Sequence, residues 1–226
     1  MKHLVLTDVC DTLIDLNSTY DYIKFLYKHN YWNKFLWKLV NNRYFWFLFY
    51  VVFRLTWLDL QRKLTFLFFK NLKIDDLKRI NQLFRKFYIS KRTKILDKII
   101  ENKDKWDKIV LVSASINPPI DMLWKYLWVE YFSSKLEEKK WIYTWKVEKD
   151  LLWNKESLLV LKKLDISKYD NVSFYTDNLS DIWFITFIQK LSKNSKFYLI
   201  IKSEKIKNKW LKLLYSSSIK NYEFIS

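Results

Sequence analysis

The chain has 226 residues, half of them hydrophobic and 19% aromatic, and 41 Lys+Arg against 24 Asp+Glu leave a net charge of +17. That length and apolar content exclude a disordered chain and allow one domain with an insertion, or two small ones. One cysteine excludes an internal disulfide, and the two distant histidines, His3 and His29, exclude a zinc cluster of familiar spacing, so a reducing, cytoplasmic setting is expected.

In chain order, "KHLVLT" (2–7) is a short apolar run suited to a strand buried on both faces. It carries no leading charged segment or cleavage site, so no signal peptide is expected. "KIVLVS" (108–113), "NVSFYT" (171–176) and "FYLII" (197–201) repeat the form, and the first three runs all end in polar residues. Between "KIVLVS" and "NVSFYT" lies "KESLLVLKKL" (155–164), where Leu158, Leu159, Leu161 and Leu164 make a helical stripe. Strands alternating with helices predict a parallel sheet covered on both sides, with ligands at the carboxyl ends of the strands.

Residues 17–100 break that rhythm. They are aromatic and helical in pattern, with "YFWFLFYVVF" (44–53) nearly unbroken and "IDDLKRINQLFRKFY" (74–88) amphipathic. Arg43 and Arg54 bound an apolar run of only about ten residues, half of what a membrane span needs. It fits either a buried helix of an inserted cap or a helix lying on a membrane. The positive charge would draw in phosphates, nucleic acids or anionic lipid, and the sign alone does not choose. No recognisable nucleic-acid reader module accompanies it.

The polar clusters at the strand ends, taken together, resemble the haloacid dehalogenase superfamily, in its phosphoserine-phosphatase-like branch. "DVCDTL" looks like its first motif, with Asp8 as nucleophile and Thr12 four residues on; "VLVSAS" supplies Ser113, "WNKESL" Lys155, and "YTDNLSD" the carboxylates Asp177 and Asp181. The resemblance implies an α/β, Rossmann-like three-layer sandwich, with residues 1–16 and 101–226 as the hydrolase core and 17–100 as an inserted helical cap. It also implies a Mg²⁺ site built from Asp8, the Cys10 carbonyl, Asp177 and Asp181, with Asp181 one shell out from the ion. Ser113, Ala114, Lys155 and Asn178 would hold the phosphate of a small phosphorylated metabolite, which Asp8 attacks to form an aspartyl phosphate. The family's second aspartate, which protonates the leaving group, is here Cys10. Asp11 stands where the family often has glycine; on an extended chain it would face away from Cys10. The alternatives are a protein of the same fold that binds a phosphorylated ligand or partner without turnover, and a basic nucleic-acid-binding protein.

The chain has no glycine, where about 7% is average, and twelve tryptophans. In "WIYTWKVEKDLLWNK", Trp141, Trp145 and Trp153 stand where the family commonly has glycine, and Trp106 and Trp128 occupy turn-like places before strands. A codon that means glycine in the source but is read as tryptophan would account for both. These tryptophans are then expected in turns or at element ends, exposed, some with positive φ.

Overall fold

The computed structural model describes residues 1–30, 38, 42–56, 60–106, 108–152, 155, 164–192 and 194–226. In chain order the elements are β1 (His3–Thr7), α1 (Ser18–Lys28), α2 (Arg43–Thr56), α3 (Leu60–Leu67), α4 (Leu77–Ser90), α5 (Lys94–Asn102), β2 (Lys108–Ile116), α6 (Asn117–Leu127), β3 (Glu130–Lys139), β4 (Ile142–Lys149), β5 (Asn171–Thr176), α7 (Ile182–Leu191), β6 (Ser195–Ile200), α8 (Glu204–Ser216) and β7 (Tyr222–Ile225). The strands form one sheet in the order β4-β3-β2-β1-β5-β6-β7. All neighbours are parallel except β3 and β4.

The apolar runs behave as doubly buried strands must. Leu4, Leu6, Val110, Val112, Val172, Phe174, Phe197 and Leu199 face one side, where they pack with Ile185 and Ile188 of α7 and Trp210 and Leu214 of α8. Val5, Ile109, Leu111 and Tyr175 face the other, in a cluster with Tyr22 and Leu26 of α1, Phe84 and Tyr88 of α4, and Leu96 of α5. The result is the expected α/β, Rossmann-like arrangement with helices on both faces of a mostly parallel sheet. Because β1 is central, Asp8 leaves the sheet between the ends of β2 and β5.

Helix starts follow from their caps. Asn17 accepts from Tyr20 N at the head of α1, Thr93 from Leu96 N at α5 and Ser203 from Ile206 N at α8, each satisfying a backbone donor the helix leaves open. The 74–88 pattern appears as α4, whose N-cap Asp76 makes no side-chain cap hydrogen bond, and which buries Leu77, Ile80, Phe84 and Tyr88 along one stripe. Of the expected 155–164 helix only Lys155 and Leu164 lie among the described residues, and Leu164 is buried.

Two of the five singled-out tryptophans hold a left-handed backbone. Trp128 ends α6 at φ 55, ψ 44 and is 74% exposed. Trp141 (φ 64) follows Lys140 (φ 49) in the two-residue turn joining β3 and β4, the turn whose two positive φ values suit Asn-Gly. Trp145 differs from expectation: it lies inside β4, at the stretch where pairing with β3 slips between the Leu136–Val147 and Glu138–Tyr143 registers. Such an irregularity suits a residue with no side chain to pack. Trp106 lies at an element end before β2 as expected, closing the short 3-10 turn Lys103–Lys105, but with φ −114 and its half-buried ring edge-on to His3. Trp153 lies outside the described residues.

A side chain with a Cβ costs roughly 1–2 kcal/mol in the left-handed region. Trp128→Gly combined with Trp141→Gly is therefore expected to stabilise the protein by about 1 kcal/mol or more, since both rings are largely exposed and the one ring contact of Trp128, with half-buried Trp124 at 5.9 Å, is a small loss. Urea unfolding reads this directly; an unchanged or lowered midpoint would contradict the strain argument.

Candidate active site

The strand ends deliver their polar residues to one place. Asp8 follows β1, and its amide donates to the Tyr175 carbonyl of β5 at 2.9 Å. Thr7 Oγ1 donates to the Asp8 carbonyl at 2.8 Å, and the chain then doubles back, Leu13 N and Ile14 N returning to the Val9 carbonyl. That return requires a left-handed residue, and Asp11 supplies it at φ 57. The extended chain expected at Asp11 is thus corrected to a tight turn. Its carboxylate still leaves the site, to an ion pair with Lys202.

Lys155 is the centre of the cluster. Its ammonium lies 2.7 Å from Asp181 Oδ1 and 3.4 Å from Asp8 Oδ1, with all three side chains almost wholly buried. Burial alone would strip the charge from Lys155, but the Asp181 and Asp8 carboxylates outweigh it and raise its pKa. Asp181, at the end of a 3-10 turn (Leu179–Asp181), also accepts from Thr176 Oγ1 at 2.7 Å. Thr12 reaches across to the same turn: its Oγ1 donates to Asp177 Oδ1 at 3.2 Å and accepts from Asp177 N at 3.1 Å.

Asp8 and Asp177 are short of positive charge. Burial lifts the Asp8 carboxyl above its usual range, the Lys155 ammonium opposes this, and Asp181 and Asp177 add to it. Burial, with repulsion from Asp11, pushes Asp177 up to about 6. Among the described residues no group of three His, Cys, Asp or Glu is arranged to hold a metal ion. Asp181 accepts from both Lys155 and Thr176, while Asp8 has the longer 3.4 Å contact with Lys155 and Asp177 accepts from Thr12.

Ser113, at 1% exposure, accepts the Ser115 amide at 3.2 Å, which leaves its hydroxyl proton to donate. The Ala114 carbonyl accepts from Arg62 Nη2 and Ser134 Oγ. Asn178 uses its side-chain oxygen to cap the turn, accepting from Ser180 N at 3.1 Å. Cys10 is fully engaged: its Sγ lies 2.8 Å from Ser115 Oγ, donates to Ser18 Oγ at 3.2 Å and accepts from Ser18 N, while Ser18 Oγ meets Tyr88 OH at 2.5 Å. Burial and the neighbouring Asp8 raise the Cys10 thiol, so it stays protonated at neutral pH.

The sequence offered no sign of two participants. Arg62 of α3 is one of 41 basic residues, yet its guanidinium binds Asp150 at 2.8 and 2.9 Å as well as Ser134 and Ala114, tying the inserted helices to the strand end that carries Ser113. Tyr88 reads as one more apolar position of α4, and only the fold brings its hydroxyl to Ser18.

A mostly parallel sheet with a buried carboxylate after its central strand, paired with a buried lysine, is the α/β arrangement in which ligands gather at the carboxyl ends of the strands. The sequence pattern of the haloacid dehalogenase-like hydrolases matches residues 5–185, and the chain belongs to that family. No curated protein matches it. Among solved structures it is similar to a protein of unknown function from Bordetella pertussis Tohama I (14% identity, TM-score 0.77, covering 100% of this chain and 99% of that one). It is also similar to a phosphoserine phosphatase in apo form (15%, TM-score 0.59, 92% and 91%) and to cytosolic 5′-nucleotidase IIIB bound to cytidine (10%, TM-score 0.56, 96% and 86%).

A carboxyl whose pKa is raised in the folded state binds protons more tightly there than in the unfolded chain, so stability grows as pH falls through that value. For Asp177 the window runs from about 6 down to its ordinary 3.8. Metal-free protein should melt higher at about pH 5 than at about pH 7.5, and Asp177→Asn should shrink the difference. A melting temperature that falls over the same interval would show that the site's negative charge is not strained.

Proposed function

We propose that the protein is a magnesium-dependent phosphatase that hydrolyses a small phosphorylated substrate through an aspartyl phosphate on Asp8, with residues 17–100 forming a cap over the site. The observation that carries this reading is the buried Lys155 ammonium between Asp8 and Asp181, with the strained Asp177 carboxyl beside Asp8. A lone buried carboxylate would be a poor nucleophile if it held its proton; the adjacent cation favours the ionised form.

Asp8 and Asp177 fit a magnesium ion, which takes hard oxygen ligands, keeps several waters and needs only one or two carboxylates. The Cys10 carbonyl is the third donor in this reading, and Asp181 anchors Lys155 instead of binding the ion. When bound, the ion would offset the charge of the phosphoryl oxygens and of both carboxylates. The chain's own groups do the rest. Ser113 donates to a phosphoryl oxygen and Lys155 neutralises another. A carboxylate oxygen of Asp8 forms a bond to phosphorus as the bond to the leaving oxygen breaks, and that oxygen departs with the electron pair. Water then attacks phosphorus, the Asp8–phosphorus bond breaks, and inorganic phosphate leaves.

Cys10 limits the reaction. Its thiol is a weak acid held in bonds to Ser18 and Ser115, so it offers little to a strongly basic leaving group. Aryl and acyl phosphates, whose leaving groups need no proton, are the expected good substrates. The same observation favours the second reading, a protein that binds a phosphorylated ligand without turnover.

Hydrolysis of an aryl phosphate with magnesium decides between them. Activity is expected that is lost on chelation and falls to background in Asp8→Asn. Phosphate binding with no turnover under any divalent cation would select the binding reading instead. Cys10→Asp is expected to raise turnover of alkyl phosphates by about 10²- to 10⁴-fold and to leave aryl phosphates nearly unchanged, the range typical of general acid catalysis. A folded Cys10→Asp protein with no gain on alkyl substrates would remove that role from this position.

A further inference from the structure

We infer that α2 docks the protein on an anionic lipid bilayer surface, lying along the interface without crossing it. Two independent observations converge on this. The first is an exposed face. Tyr44, Phe47, Leu48 and Tyr50 are 85%, 71%, 52% and 60% exposed, while Phe49 on the opposite side of the helix is buried. At 100° per residue the four exposed positions span an arc of about 160°, centred opposite Phe49, so the helix presents an apolar face outward and rests on the protein by the other. Monomeric proteins rarely leave a contiguous aromatic and aliphatic face in water.

The second observation is charge. From Tyr22 to Leu58 there is no Asp or Glu, although the chain has 24 in all; the same stretch carries six Lys and Arg and fifteen aromatic residues. A face meant for a second copy of a chain with net charge +17 would bring like charges together. A negatively charged lipid surface is instead complementary on both counts, since each nearby Lys or Arg adds attraction and aromatic rings settle at the headgroup level. Among the described residues no helix is long and apolar enough to cross a membrane, and Arg43 and Arg54 bracket the apolar run at the length of an interfacial helix.

Cosedimentation with vesicles tests this, and it reads binding without turnover, so its result stands apart from whether the protein hydrolyses phosphate esters. Full-length protein is expected to bind phosphatidylcholine vesicles containing about 30% phosphatidylglycerol and to bind pure phosphatidylcholine at least about tenfold more weakly. Raising salt from about 0.1 to about 0.5 M should release it, because the attraction of exposed charges is screened. Phe47→Asp with Leu48→Asp should cut partitioning at least about tenfold, as both rings and chains would otherwise enter the interface. Tyr44→Ser with Tyr50→Ser, confirmed folded by circular dichroism, should act in the same direction. Equal binding to neutral and anionic vesicles, or unchanged binding by both folded variants, would overturn the inference. So would a concentration-dependent dimer in solution that Phe47→Asp dissolves, which would give the face to a second copy.

Discussion

The site is organised by one buried cation. Lys155 is enclosed with Asp181 and Asp8 at the end of the parallel sheet, and its ammonium could not remain charged there without both carboxylates. This constraint reaches back into the fold. Asp8 can meet Lys155 only because β1 is central and parallel to β5, whose own end carries Thr176 and the turn bearing Asp181. Removing one carboxylate would leave a buried charge partly unpaired, a larger penalty than the loss of an exposed ion pair. The same arrangement divides the carboxylates by role. Asp181 accepts from Lys155 and Thr176, while burial raises both Asp8 and Asp177, and the charge of Asp177 adds to the rise at Asp8.

Much of this was legible in the sequence, for a physical reason. Strands buried on both faces read as short apolar runs, and β1, β2, β5 and β6 were visible in that way, β6 beginning two residues earlier than expected. Because ligands gather at the carboxyl ends of such strands, the residues just after them were the natural candidates. The edge of the sheet was not legible. β3 and β4 form a hairpin with one solvated face, rich in Lys and Glu, and β7 is four residues, three half-buried and Glu223 exposed. Their burial depends on neighbours far away in sequence, such as the pairing of Lys73 with Ile142. Arg62 and Tyr88 were hidden for the same reason: neither has a local signature, and each acquires its contacts only when the inserted helices close over the strand ends.

Around Cys10 the fold shows a polar network where the family's chemistry wants an acid. Ser18, Ser115 and Tyr88 satisfy the thiol and each other, so the position is neither an unpaired buried group nor a reactive, electropositive cysteine. Burial and Asp8 hold the proton on sulfur. A group in that state stabilises the loop between β1 and α1 whatever the substrate, which separates its structural contribution from its catalytic one. The Asp8–Lys155–Asp181 arrangement has no comparable alternative use, since buried ion pairs contribute little net stability compared with apolar packing.

The left-handed residues show how a chain without glycine closes its turns, and where it does so at a cost. Among the described residues seven take positive φ: Asp11, Asn30, Asn71, Trp128, Lys140, Trp141 and Ser218. Asn30 and Asn71 are ordinary solutions, because asparagine tolerates this backbone best after glycine. Asp11 is tolerable for a related reason, its short polar side chain finding a partner in Lys202. Trp128 and Trp141 have no such excuse: a large ring gains nothing from the left-handed region, and both lie exposed. Trp210, by contrast, is wholly buried in α8, with an indole nitrogen that finds no hydrogen-bond partner among the described residues. A protein that had been selected for tryptophan at these places would be expected to bury the rings and pair their nitrogens. Exposure with a left-handed backbone at Trp128 and Trp141 fits positions whose backbone, not whose side chain, the fold requires, whereas the Trp210 ring is part of the core.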